Sequence, residues 1–186
     1  MINLFLIVHN FSGAKTYIDE LSGYLTGKND VFVFQVYLNY SALREFTVQE
    51  KDKITSVYIP EKVGKEYHQK YYKRAAQLVF SYFQNLHNVI FHANMPEQYL
   101  FTKEVKELFK CPVVFTFHFL MSFYSSHDKI TGNNSVSPEK GNVLEKYMLE
   151  AADHIICVTQ FAQRAIKNLH EIPASKTTVI YNGKSF

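Results

Sequence analysis

Three histidines stand directly behind short apolar runs: His9 after Leu4 to Val8, His92 after Asn88 to Phe91, and His118 after Val113 to Phe117. If those runs are strands of one parallel sheet, their carboxyl ends gather where ligands of open α/β sheets bind, and three imidazoles line one cleft. A neutral imidazole donates from one nitrogen and accepts at the other, which suits a ligand rich in hydroxyls. Three such rings could also hold zinc. No His-Glu-x-x-His or comparable ligand spacing occurs, and no acidic residue stands beside any of the three. Polar cleft residues are therefore expected, and no metal.

Behind His9, the residues Ser12, Gly13 and Ala14 make a small-residue turn that opens a helix. Unpaired N–H groups and the helix dipole favour a phosphate at such a place, and Lys15 adds a positive charge beside it. The turn matches neither G-x-G-x-x-G nor the P-loop pattern, so a nicotinamide enzyme is not expected. Covalent catalysis finds no support: a G-x-S-x-G elbow is missing and Cys157 falls inside an apolar run. The long stretch from Phe119 to Ser137 follows His118. Phe119, Phe123 and Tyr124 can stack there on a sugar or lipid face, while Ser125, Ser126 and Asn133 can bond hydroxyls.

The elements that must position these groups read as alternating strands and helices. Strands are expected over Asn3 to Val8, Val31 to Tyr37, Ile54 to Ile59, Asn88 to Phe91, Val113 to Phe117, His154 to Val158 and Thr177 to Tyr181. Several are apolar throughout, as in a sheet covered on both faces. A first helix follows Ser12-Gly13, with Tyr17, Leu21, Tyr24 and Leu25 at helical spacing. A second spans about Lys65 to Leu86 and carries Lys65, Lys70, Lys73 and Arg74 on a basic face, of the kind that is most often just solvated but that a helix end over a phosphate-binding cleft also uses. Pro96 starts a helix reaching Phe109, Pro138 starts one reaching Ala152, and Thr159 caps another that Pro173 ends. Leu38 to Lys53 and Phe119 to Ser137 read as irregular.

Composition bounds the rest. The chain has 186 residues, enough for one complete domain. Lys and Arg number 20 against 17 Asp and Glu, a net +3 that is too slight for a nucleic-acid binder. Apolar residues make up 47%, with 16 Phe and 13 Tyr, so a large core is available without disulfides. Cys111 and Cys157 both fall in apolar runs and are expected as buried thiols in a reducing compartment. The N-terminus lacks a basic n-region and the run behind it is too short to span a bilayer, so a cytoplasmic location is the expectation.

The last quarter is more specific. The helix ending in Ala151-Ala152-Asp153, the strand His154 to Val158 ending at Thr159, and the later Val179-Ile180-Tyr181-Asn182-Gly183 closely resemble the end of the N-terminal domain of family 4 glycosyltransferases. Pro112-Val113-Val114-Phe115-Thr116-Phe117-His118 is similar to that family's Pro-Val-Val-x-Thr-x-His strand, and His92-Ala93-Asn94 looks like its His-x-Asn segment. The resemblance spans nearly the whole chain.

It implies a Rossmann-like three-layer α/β sandwich with a mainly parallel sheet over residues 1–183, the N-terminal half of a GT-B architecture, with 184–186 starting an interdomain linker. It further implies a retaining glycosyltransferase of the kind used in polysaccharide biosynthesis. Such an enzyme moves a sugar from a nucleotide-sugar to a glycan, lipid-linked or small-molecule acceptor. This half binds the acceptor, the donor-binding C-terminal half is absent from the chain, and the fragment alone is inactive. In such enzymes His118 lies near the reacting centre and Ser12, Gly13 and Ala14 approach the donor diphosphate. His9, Lys15, His92, Asn94, Phe119 and Tyr124 face the acceptor. The nucleotide-sugar is a substrate, no cofactor is implied, and peripheral association of the full enzyme with a membrane is allowed. Two other readings share the fold: a stand-alone, non-catalytic glycan or nucleotide binding domain, and half of a GT-B sugar-nucleotide epimerase.

Overall fold

Strand β1 (Ile2–Val8) shows why this sequence folds as it does. Its side chains alternate between two apolar faces. Leu6 and Val8 pack with Ile18 and Val33 on one side, joined by Leu4, Tyr17, Leu21 and Leu25. Phe5, on the other side, stacks on Phe34 at 4.3 Å and on Phe91 at 4.7 Å. A strand apolar on both faces can only be central and covered twice.

The computed structural model describes residues 1–8, 12–61, 68–118 and 138–181, and of residues 12–14, 68 and 138–142 the backbone alone. Among the described residues eight strands form a mostly parallel sheet in the order β3-β4-β2-β1-β5-β6-β7-β8, a Rossmann-like α/β arrangement. The chain divides into two compact units, Met1–Asn94 with Leu100–Val113, and Met95–Tyr99 with Val114–Phe186.

In the first unit, β1 pairs in parallel with β2 (Val31–Tyr40) on one side and with β5 (Val89–Ala93) on the other. Beyond β2 lie β4 (Ile54–Pro60), again parallel, and the antiparallel edge strand β3 (Thr47–Lys51). Helix α1 (Ser12–Leu25) covers the Leu6 face. Helices α2 (His68–Phe83) and α3 (Tyr99–Phe109) cover the other. There Phe83 meets Phe5 edge-on at 5.4 Å, and Phe109 lies 5.3 Å from Phe91. The register places Phe34, Phe5 and Phe91 side by side on three adjacent strands, so one aromatic row ties the sheet to both helices. Each such ring pair adds about 0.5–1.5 kcal/mol to the burial of its surface.

Gln35 is the polar residue inside this core that needs explaining. Its amide donates to Ser22 Oγ at 2.8 Å, and its Oε1 accepts from the Tyr37 hydroxyl at 2.6 Å, so both ends are satisfied.

The second unit holds β6 (Val113–Phe117), β7 (His154–Cys157) and β8 (Thr177–Val179), with β7 parallel to both neighbours. Helix α4 (Pro138–Ala151) and helix α5 (Gln160–His170) accompany them. Thr159 caps α5 as expected, its hydroxyl oxygen accepting from Ala162 N–H at 3.0 Å. Lys176 Nζ donates to the carbonyls of Leu149 and Glu150, closing the end of α4. Cys111 and Cys157 are buried and not joined in a disulfide, as their runs suggested.

Four expectations need correcting. The stretch from Leu38 to Lys53 is not irregular: β2 continues to Tyr40 through a bulge at Asn39, whose φ is 56°, and β3 follows. The β3–β4 turn is Asp52-Lys53, both in the left-handed region, a type I′ geometry without its usual glycine or asparagine. His92 does not follow its strand. Pairing of His92 with Leu6 carries β5 on to Ala93, so the histidine is inside it. Finally, β8 ends at Val179 rather than Tyr181, and the second helix ends at Phe83 rather than Leu86, its expected start at Lys65 lying outside the described residues.

Candidate functional site

Chain direction selects the site in the first unit. From β1 the chain moves outward to β2 and β4, then returns to pair β5 on the opposite side of β1. The carboxyl ends of β1 and β5 therefore flank a topological switch point, where crossover helices diverge and leave a crevice. Helix α1 starts at Ser12, four residues beyond the end of β1, so its first turn, Ser12 to Ala14, opens on this edge with its N–H groups unused by the helix.

His92 and Asn94 stand on the β5 side of the switch point. His92 is 5% exposed, and its ring meets that of Tyr17 on α1 edge-on at 6.4 Å. Asn94 is 2% exposed, and its amide nitrogen donates to the carbonyl of Ile7 on β1 at 3.3 Å. Both thus help build the crevice wall as well as standing at it. Lys15 is exposed and ion-paired with Asp19 one turn along α1. That pairing directs its charge along the helix surface.

In the second unit His118 directly follows β6 and is partly buried. Burial pushes its imidazole below the usual histidine range, because the charged form loses more hydration than the neutral form. At neutral pH it is a neutral ring able both to donate and to accept. Among the described residues no group of three His, Cys, Asp or Glu is arranged to hold a metal ion. His9, Phe119 and Tyr124 lie outside the described residues, as do the side chains of Ser12, Gly13 and Ala14.

Two features escaped the sequence. Glu145 is fully buried, its carboxylate 2.7 Å from Nε2 of His170. The signal was its spacing, since Glu145, Met148 and Leu149 share one helical face. The other is the cluster of Tyr37, Tyr40 and Tyr58 at the ends of β2 and β4, with Tyr37 and Tyr58 stacked at 4.8 Å. Burial, then the neighbouring Tyr58, Asp19 and Tyr40, push the Tyr37 phenol up to about 12. It stays a protonated donor to Gln35 at any physiological pH.

The family model described as Glycosyltransferase Family 4 matches residues 11–184. Among solved structures, sucrose-phosphate synthase from Thermosynechococcus elongatus aligns over 99% of this chain and 49% of its own, at 15% identity and a TM-score of 0.75. UDP-N-acetylglucosamine 2-epimerase from Rickettsia bellii aligns over 96% of this chain and 44% of its own, at 14% identity and a TM-score of 0.60. A UDP-forming α,α-trehalose-phosphate synthase from Burkholderia vietnamiensis aligns over 98% and 48%, at 16% identity and a TM-score of 0.58. At such identities the likeness is one of fold, and the chain spans about half the length of each. No curated protein sequence matches it. None of the described helices is long and apolar enough to cross a membrane.

Proposed function

The chain belongs to glycosyltransferase family 4, and on that premise we propose that it supplies the acceptor-side half of a retaining enzyme that moves a sugar from a nucleotide-sugar to a hydroxyl acceptor. The observation that carries this reading is the family match across residues 11–184. The switch point agrees with it, since a crevice at the ends of β1 and β5, bordered by the start of α1, suits a phosphorylated ligand.

In this reading the first turn of α1, at Ser12, Gly13 and Ala14, faces the donor diphosphate. His9, Lys15, His92, Asn94, Phe119 and Tyr124 form the acceptor side. His118 positions the reacting sugar or acceptor through hydrogen bonds from its neutral ring, a role that fits its partial burial and lowered basicity. The new bond joins the acceptor oxygen to the anomeric carbon while the bond from that carbon to the phosphate oxygen breaks. The acceptor proton leaves with the nucleotide diphosphate, so no side chain needs to keep it. The names of two similar structures, UDP-forming trehalose-phosphate synthase and UDP-N-acetylglucosamine 2-epimerase, favour a nucleotide-sugar as the donor.

A transfer assay on the full-length protein with a panel of nucleotide-sugars and hydroxyl acceptors tests the proposal. The expected product keeps the donor's anomeric configuration, and its formation requires acceptor. The likeness to an epimerase favours one second reading, half of a sugar-nucleotide epimerase. Conversion of the nucleotide-sugar with no acceptor present would select that reading instead.

A further inference from the structure

The first unit carries a second concavity on its carboxyl edge, a cavity of about 550 Å³ bounded by the end of β4, the loop from β2 to β3 and the first half of α2. Arg44 reaches it from the loop, and Lys70 and Arg74 from adjacent turns of α2. Glu45 and Glu61 line the same cavity, yet none of the three cations forms an ion pair or hydrogen bond among the described residues. Lys70 and Arg74, one turn apart on α2, are like charges that repel, and Arg44 adds a third cation to the lining of the same cavity.

The frame around these charges is fixed. Tyr71 is 6% exposed; its hydroxyl donates to the Pro60 carbonyl at 3.1 Å and accepts from Asn39 N–H at 2.7 Å. That one ring pins α2 to the ends of both β2 and β4. Glu61 N–H bonds the Tyr40 carbonyl at 3.2 Å, holding the next residue in line. Ile59, Ala75 and Leu78 give the cavity an apolar wall. The volume lies within the roughly 300–1,000 Å³ common to small-ligand sites.

We propose that this cavity binds a phosphate ester, the guanidinium groups of Arg44 and Arg74 and the ammonium of Lys70 holding the phosphate. Guanidinium forks match phosphate oxygens two at a time. Glu45 and Glu61 can accept from hydroxyls on the same molecule, and the apolar wall can take the face of its carbon skeleton, so a phosphorylated sugar or polyol fits the lining best. Binding there is independent of the transferase reading. Only one consequence rests on that reading: β4 stands two strands from β1, about 10 Å at ordinary strand spacing, close enough to anchor the charged end of an acceptor.

Calorimetry on the 186-residue chain, with no sugar donor present, tests the site. The probes are glucose 6-phosphate, inorganic phosphate, glucose, and vesicles of phosphatidylglycerol. Saturable binding of glucose 6-phosphate, weaker binding of phosphate and none of glucose are expected. The double variant Arg44→Gln/Arg74→Gln should weaken it by roughly tenfold or more, with circular dichroism showing that the variant is folded. Lys146→Gln, in the other unit, should change nothing. Binding of vesicles alone, lost in the double variant, supports the same phosphate site and assigns its source to a lipid headgroup. Absence of saturable binding to every phosphate-bearing probe overturns the proposal. So does binding that survives the double variant or falls equally in Lys146→Gln. A failed transfer assay leaves all of these outcomes readable.

Discussion

The side-chain amide of Asn94 donates to the backbone carbonyl of Ile7 at 3.3 Å, tying the end of β5 to β1 at the switch point. Both groups are shielded from water, so neither can replace the bond with solvent. Asn94→Ala should cost about 0.5–1.5 kcal/mol of stability, the usual net worth of one hydrogen bond. Urea denaturation of the variant measures it, and an unchanged midpoint would show that the bond holds nothing.

The Glu145 and His170 pair predicts a larger effect. Removing one member of a buried acid–base pair held at 2.7 Å costs about 3–5 kcal/mol. His170→Ala should therefore destabilise strongly, and Glu145→Ala should add little once His170 is gone. A double-mutant cycle by chemical denaturation gives the coupling, and additive losses would contradict it.

His118 makes a pH-dependent contribution with a definite sign. Its folded-state basicity is lowered by burial, so between the folded and unfolded values the unfolded chain binds the extra proton. The contribution is complete above the ordinary histidine value of about 6.5 and fades as pH falls through the folded one. Wild type should thus lose stability relative to His118→Phe as pH drops from neutral to about 5. In the full-length enzyme His118→Ala should cut turnover by on the order of a hundredfold while the protein stays folded. Turnover equal to wild type per folded molecule would remove His118 from the site.

Both thiols should be silent in the native state. Cys157 is fully buried and burial pushes it up to about 11, while Cys111 is 7% exposed. A thiol reagent at neutral pH should label neither until denaturant is added, then both. Rapid labelling of Cys157 in the folded chain would contradict the packing of β7.

The central strands were readable because burial on both faces leaves little room for polar residues, as in Phe5 to Val8 and Val113 to Phe117. Strand β3 was not readable. Its sequence Thr47-Val48-Gln49-Glu50-Lys51 is an exposed edge with one aliphatic residue, and its turn uses Asp52-Lys53 where Asn-Gly would have announced a hairpin. At the site, the position of His118 behind an apolar strand was legible from composition alone. The commitment of Asn94 to Ile7 was not, because the two are 87 residues apart and only the β1–β5 register joins them. That Arg44 lines one cavity with Lys70 and Arg74 was hidden for the same reason: β2, β4 and their loop must first be set against α2.

Calorimetric titration of the 186-residue chain with common nucleotide-sugars tests the half-cleft reading most directly. If this chain supplies the acceptor side and the donor site is built mainly by another domain, nucleotide-sugars should bind only weakly, with Kd on the order of a millimolar. Submicromolar binding of any nucleotide-sugar to the chain alone would contradict it.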